Sequence, residues 1–375
     1  MMGTGVRRGR RARVAVVTGS RAEYGLLRSS MLAIRRHPSL RLQTVVVGMH
    51  LVRRFGHTVD RILADGFRVD ARVKMQRGDD NVLDQARGLS KGIAGMAAFF
   101  VAAKTDLVVV LGDRIEAMAG ALAAVTTGRR LAHVHGGDVA PGDFDDALRH
   151  SITKLADVHL TATRQARARV IAMGEPAACV HWVGAPGLDD FRKRPARPWK
   201  AKRRSGRALI VQHAFGRSPD RERRTMTALL QAVERCGLAR TIVYPNTDRG
   251  HAGILDAIEE HRQRSKNGSV EVVRSLDRGD YLRVLVAADV LVGNSSSGII
   301  EAAAAGTPTV NVGNRQRGRE RNGHSVIDVG ESFDAVQKGI REALRARPLR
   351  PRTTIYGDGR AGPRIASILA RLRLD

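Results

Sequence analysis

The densest set of anion-holding groups lies in Gly293-Asn294-Ser295-Ser296-Ser297-Gly298-Ile299-Ile300-Glu301, after a short β-branched run and at the opening of a helical stretch. A Ser/Gly turn at a helix N-terminus presents unpaired N–H groups and the positive dipole end to an anion. The Ser296 and Ser297 hydroxyls add donors, and Gly298 lets the backbone come close. Glu301 follows about one turn later, where a carboxylate can accept hydrogen bonds from a ribose diol. Serine here could be no more than a helix cap. The following Asn314-Arg315-Gln316-Arg317-Gly318-Arg319 favours a ligand, because Arg315 and Arg319 suit bidentate phosphate contacts. A second strand-to-helix turn, Thr18-Gly19-Ser20-Arg21-Ala22-Glu23-Tyr24-Gly25, offers Arg21 to the same phosphate from across a cleft.

Carboxylates cluster after other apolar runs. Asp113 in Gly112-Asp113-Arg114-Ile115-Glu116 ends the most apolar strand of the first half, and Asp138 closes His133-Val134-His135-Gly136-Gly137-Asp138. Asp143, Asp145 and Asp146 come next, then Arg149 and His150 on a helix spanning 145–155. Carboxylates at the ends of adjacent strands suit paired proton transfer, although any one of them could merely cap a helix. Strand alternation puts His133 and His135 on one face, but no cysteine or third spaced histidine supports a metal site, and none is expected. In the second half, His213 and Tyr244-Pro245-Asn246-Thr247-Asp248 end consecutive strands and face the same cleft.

Such residues need parallel strands to hold them at one edge. Strands are expected at 13–18, 42–47, 107–111, 131–135, 158–161 and 180–183. A second set is expected at 209–213, 241–244, 271–273, 290–292 and 309–312, with helical stretches between such as 115–126 and 281–288. This alternation predicts an α/β protein with two doubly wound, Rossmann-like domains and the active site between them. Residues 1–190 form the first domain, the basic, Pro-containing 191–207 a linker, and 208–355 the second domain. Residues 356–375 end in a helix at about 363–374.

Bulk properties narrow the function. The 375 residues suit two domains. The formal charge of +27 comes from basic residues, mostly Arg, scattered along the chain with no nucleic-acid-binding signature, so no specific nucleic-acid partner is expected. No apolar run nears the roughly 20 residues of a membrane span. The basic start reads as a short leader before the first strand. Two cysteines, Cys179 and Cys236, fit a reducing cytoplasm.

Taken in order, these motifs resemble the hydrolysing UDP-N-acetylglucosamine 2-epimerases over nearly the whole chain. Further stretches carrying the resemblance are Gly48-Met49-His50-Leu51, Asp65-Gly66-Phe67, Arg149-His150-Ser151-Ile152-Thr153-Lys154 and Tyr356-Gly357-Asp358-Gly359. The resemblance implies a glycosyltransferase-B-like fold whose C-terminal helix packs back on the first domain. It implies conversion of UDP-N-acetylglucosamine and water to N-acetylmannosamine and UDP, by elimination and rehydration with inversion at C2, without a cofactor. A related diacetamido-trideoxyhexose nucleotide, or glycosyl transfer from a UDP-sugar, are the alternatives. By position it names Asp113, Asp138, Asp145 and His213 as catalytic candidates. Arg21, Asn246, Ser296, Ser297, Gly298, Glu301, Arg315 and Arg319 become the substrate-binding set. It further implies a homo-oligomer, dimer or tetramer, serving sialic-acid-type sugar synthesis. The chain departs from the family in two places: Asp138 replaces the common Glu, and Ala214 the common Pro after His213.

Overall fold

The computed structural model describes residues 10–372 apart from 54–55, 78, 80–81, 141–143, 193–205, 247, 266–268, 275 and 346–353. Residues 1–9 of the expected leader and nearly all of the expected linker lie outside this set.

Two parallel sheets carry the molecule. The first contains β1 (Ala12–Thr18), β2 (Leu40–Val47), β3 (Ala71–Val73), β4 (Leu107–Leu111), β5 (Arg130–Val134), β6 (Val158–Thr161) and β7 (Val180–Trp182). Their order is β3-β2-β1-β4-β5-β6-β7. The second contains β8 (Arg207–Val211), β9 (Ala239–Val243), β10 (Val270–Val273), β11 (Val290–Gly293), β12 (Thr309–Val312) and β13 (Val326–Val329), ordered β10-β9-β8-β11-β12-β13. Each order reverses after its first strand, between β1 and β4 and between β8 and β11. Loops leave those points in opposite directions and open a crevice at the strands' C-terminal ends. The expected α/β class, two Rossmann-like doubly wound units of the glycosyltransferase-B kind, is the fold observed.

Helices connect the strands: α1 (Arg21–Arg36), α2 (Val59–Ala64), α3 (Val82–Ala102), α4 (Ile115–Thr126), α5 (Asp145–Leu155) and α6 (Arg164–Ala172) in the first half, then the short α7 (Asp189–Arg192). The second half has α8 (Pro219–Arg235), α9 (His251–Arg264), α10 (Arg278–Ala287), α11 (Ser296–Ala305), α12 (Phe333–Arg345) and the last helix, α13 (Ala361–Leu369). Among the described residues no helix is long and apolar enough to cross a membrane.

Strand periodicity builds a core on each face of the first sheet. Val14, Val16, Leu107 and Val109 point to one side, where they meet Leu27, Met31 and Ile34 of α1. Ala15, Val17, Val108 and Val110 point to the other and meet Met96 and Phe100 of α3. A strand covered on both faces must be apolar throughout, as Leu107–Leu111 is.

Helix α13 returns to the first half. Ile365, Ala366 and Leu369 share the α1 core, and the Asp189 carboxylate accepts hydrogen bonds from the Ala361 and Gly362 N–H groups at 2.9 and 2.7 Å. The helix starts before the expected position because Pro363 is tolerated in a first turn, where its missing N–H costs no intrahelical bond. It ends at Leu369, short of the expected residue 374. Two strands escaped the sequence reading. β3 is three residues with an arginine at its centre, and in β13 Asp328 interrupts the β-branched Val326, Ile327 and Val329 on an outer strand.

Truncating fully buried Leu369 to Ala should cost about 2–5 kcal/mol in urea unfolding. A cost below about 1 kcal/mol would show that α13 is not docked in the core.

Candidate active site between the two sheets

At β11–α11, Gly293 has φ 139°, and a Cβ there would lie 2.2 Å from the Val211 carbonyl of β8. Glycine is therefore required for the chain to turn off the strand beside its neighbour. Ser295 caps the helix by accepting from the Ser297 N–H at 3.3 Å, which leaves Ser296 facing a cavity of about 650 Å³. Ser297 Oγ accepts from the Tyr281 hydroxyl at 2.5 Å. Gly298 packs against Thr309 and Leu291, so its lack of a side chain serves close packing of α11 on the sheet.

Arg21, the first residue of α1, lines the same cavity from the other half. Among the described residues no carboxylate pairs with it. Burial, with the Arg61 charge added, pushes its pKa down to about 10. A half-buried guanidinium without a counterion is a pull on an anion. Glu301 sits on the opposite wall and is ion-paired with Arg278, whose Nε also donates to Asp190 at 2.9 Å. Glu301 is thus an ion-paired acceptor beside the cavity.

His213 follows β8. The Asn294 side chain holds its backbone, accepting from the His213 N–H at 2.7 Å and donating to its carbonyl at 2.9 Å. Its Nδ1 accepts from the Asn246 N–H at 3.1 Å, which places the ring proton on Nε2. Burial, and secondarily Arg315, hold its pKa down to about 3. The ring is therefore a neutral N–H donor on the cavity wall, where the sequence suggested an acid/base group. The Asn246 contribution to this geometry comes from its backbone.

A second cavity, of about 270 Å³, adjoins Asp113, Asp145, Arg315 and Asp248. Arg149 of α5, 1% exposed, pairs its guanidinium with both Asp113 and Asp146 and donates to the Asp138 carbonyl at 3.2 Å. Arg315 stands 3.6 Å from Asp145 and 3.8 Å from Asp248, and Arg114 donates to Asp248 at 2.8 Å. These surroundings drive the two carboxyls apart. Burial, aided by Asp248, outweighs Arg315 and raises the pKa of Asp145. Burial also opposes ionisation of Asp248, but Arg114 and Arg315 overcome it and hold Asp248 low. Opposed proton affinities within one cleft are what general acid and base groups require. His213 lines the larger cavity and Ala214, next in the chain, lines the smaller, so the two cavities are neighbours.

Two expected site residues are placed differently. Asp138 lines neither cavity. Its Oδ2 accepts from Arg319 Nη1 at 2.6 Å and meets His135 Nδ1 at 3.1 Å. Burial would raise its pKa, but Arg319 and His135 turn the shift downward. Arg319 is engaged by this contact and by Gln316 Oε1 at 2.9 Å, so its guanidinium does not face the phosphate region. The expected shared face of His133 and His135 is also lost. β5 stops at Val134, His135 turns out at φ 66°, and His133 bonds Gly112 and Thr153 instead. Among the described residues no group of three or more His, Cys, Asp or Glu side chains could hold a metal ion.

Arg149, Arg278 and Tyr281 were not singled out for the site. Arg149 was readable in principle, lying three and four residues after Asp146 and Asp145 on one helix. Arg278 and Tyr281 look in sequence like an ordinary capped helix start, and only the fold brings them to Glu301 and Ser297.

The α1 turn also hides a titrating group. Glu23 is buried and accepts from the Gly19 N–H at 2.6 Å. Burial raises its pKa to about 8, with the Gly19 bond opposing and Glu116 adding to the rise. An acid whose folded pKa lies above its unfolded value of about 4.3 stabilises the fold fully only below that lower value. Its contribution is lost as pH climbs to about 8. Unfolding midpoints should therefore fall in the wild-type protein relative to Glu23→Gln as pH rises from 5 to 8. A constant gap would contradict the assigned shift.

The chain has known relatives in sequence and in fold. The family model described as UDP-N-acetylglucosamine 2-epimerase matches residues 32–370. A Legionella pneumophila protein named UDP-N,N'-diacetylbacillosamine 2-epimerase (hydrolyzing) is 33% identical over 369 residues, covering 96% of each chain. A Neisseria meningitidis UDP-N-acetylglucosamine 2-epimerase is 29% identical over 343 residues, 87% of each chain. The structure of Methanocaldococcus jannaschii UDP-GlcNAc 2-epimerase in complex with UDP-GlcNAc and UDP superposes with a TM-score of 0.78 at 16% identity, over 95% of this chain and 99% of that one. With its family match running almost end to end, the chain belongs to the UDP-N-acetylglucosamine 2-epimerase family of enzymes.

Proposed function

We propose that this enzyme is a hydrolysing 2-epimerase of a UDP-linked 2-acetamido sugar, converting UDP-N-acetylglucosamine and water to N-acetylmannosamine and UDP. The observation that carries the proposal is a pair of neighbouring cavities, one lined by Arg21, which pairs with no carboxylate among the described residues, and the other by the carboxyls of Asp113 and Asp145. The diphosphate lies between Arg21 and the N-terminus of α11, near Ser296 and the His213 Nε2–H, with Arg315 toward the sugar. Glu301 accepts from the ribose.

The first half of the reaction takes the C2 proton to a carboxylate as the bond from C1 to the UDP oxygen breaks. UDP leaves with the electron pair, and a C1=C2 double bond remains. Donors already aimed at the diphosphate stabilise that departing charge without reorganising. The second half adds a water oxygen at C1, with one water proton passing to a carboxylate, and a proton at C2 on the opposite face, giving the free epimeric sugar. Asp113, presented by Arg149 as an ion-paired carboxylate, is the proton acceptor. Asp145, in which burial favours the protonated form, is the donor. The unpaired Cys179 and Cys236 fit work in the cytoplasm.

A diacetamido-trideoxyhexose carried on UDP is the second reading. Similarity to the Legionella protein over 96% of each chain favours it, as do Ile115, Phe144 and Ala214 around the carboxylate cavity. Such apolar walls suit a 6-methyl group, although a methylene-sized difference discriminates only about 10- to 200-fold.

Incubation with each UDP-sugar should release UDP and a free C2-epimeric sugar without an added acceptor. UDP release that needs an acceptor would mark a glycosyltransferase instead. Asp113→Asn should lower kcat by about 10²- to 10⁴-fold and leave UDP affinity nearly unchanged. Arg21→Met should weaken UDP binding by roughly 10- to 100-fold in calorimetric titration. The reverse pattern would exchange the roles assigned to the two ends of the cleft.

A further inference from the structure

Asp138 and Arg319 come from different halves of the molecule. Asp138 lies on the loop after β5 and Arg319 on the loop after β12, 181 residues later in the chain. Their side chains are 4% and 8% exposed, and Asp138 faces neither cavity. A carboxylate sealed in this way cannot reach a sugar in the cleft without first giving up its guanidinium.

The pair stands in the middle of a hydrogen-bonded chain. At one end is the anion-holding turn, where the Asn294 carbonyl accepts from Gln316 Nε2 at 3.0 Å. Gln316 Oε1 accepts from Arg319 Nε at 2.9 Å, and Arg319 Nη1 donates to Asp138 at 2.6 Å. The Asp138 carbonyl accepts from Arg149 Nη1 at 3.2 Å, and Arg149 Nη2 pairs with Asp113. His135, held at φ 66°, completes the grip on Asp138. For a residue other than glycine that backbone is costly, and it persists only where surrounding contacts enforce it.

We infer that Asp138 and Arg319 form an interdomain latch that sets Asp113 for chemistry when the diphosphate-holding half closes on the first half. Neither residue is a catalytic group: both are positioning residues for the reaction proposed above, on which this role rests. The latch converts occupancy of the Asn294–Ser297 turn into a fixed orientation of Arg149, and through it of Asp113. Opening the cleft to release UDP separates Arg319 from Asp138 and frees that orientation again. Buried ion pairs suit such a task because losing one partner leaves an uncompensated charge, which makes the paired state strongly preferred.

The test is a double-mutant cycle with two readouts. Wild type, Asp138→Asn, Arg319→Met, the double variant and Arg319→Lys are compared by UDP release, with kcat and KM separated. They are also compared by the distance distribution between spin labels on Cys179 and Cys236, one in each half, at saturating UDP. Each single variant should lower kcat by roughly 10- to 100-fold, and the double variant should be no worse than the worse single. Arg319→Lys should recover most of the loss, and both single variants should broaden the interdomain distances. Multiplying effects in the double variant would overturn the latch. So would an inactive Asp138→Asn with wild-type distances beside a nearly normal Arg319→Met, because Asp138 would then act on the substrate. If the wild-type protein releases no UDP from either sugar nucleotide, the proposed reaction fails and the distances decide alone. Distributions unchanged in both single variants then overturn the latch, and broadened ones uphold it.

Discussion

A half-buried positive charge without a counterion is costly, and Arg21, at the first turn of α1, pairs with no carboxylate among the described residues. The nearest way to offset the cost is an anion in the cavity it lines, and Ser296 at the start of α11 faces that cavity from the opposite side. Both helices begin where parallel strands end beside a reversal of strand order. One sheet could supply one such terminus. Two sheets with their C-terminal edges turned toward each other supply two, and both line one cavity.

Charge at the other end of the cleft is arranged differently. Arg114, Arg149 and Arg315 stand among Asp113, Asp145, Asp146 and Asp248, and the balance between burial and ion pairing differs between Asp145 and Asp248. Burial dominates at Asp145, while two guanidinium groups dominate at Asp248. His213 between the two ends stays neutral and keeps its proton on Nε2, so it adds a donor without adding charge. In the proposed reaction, binding energy gathered at the diphosphate is used on the leaving group, while Asp145 and Asp248 are shifted in opposite directions.

Much of this was legible before the fold was known. The strands 107–111, 158–161 and 309–312 carry β-branched and leucine-rich runs that a doubly covered sheet requires, and their bounds agree with β4, β6 and β12. Arg21, Ser296 and Asp113 stood out because each ends a strand and opens a helix. Partner choice was not legible. Arg319 and Arg315 share one loop and one residue type, yet only their distances show that the first holds Asp138 while the second stays near Asp145 and Asp248. His135 illustrates the same limit: alternation assigns it a face, but a residue in the left-handed region leaves the strand geometry that alternation assumes. Short outer strands such as β3 lack the apolar run because water covers part of them.

The central claim is that the cleft performs elimination and rehydration at C2 of a UDP-linked 2-acetamido sugar. It is tested most directly by running the reaction to completion in deuterium oxide and examining the released sugar by NMR and mass spectrometry. One deuteron at C2 of a free, inverted sugar is the predicted result, because the carbon proton must leave and be replaced from solvent. A released sugar that keeps its original C2 proton and configuration would contradict the account, because water or an acceptor would then have displaced UDP directly at C1.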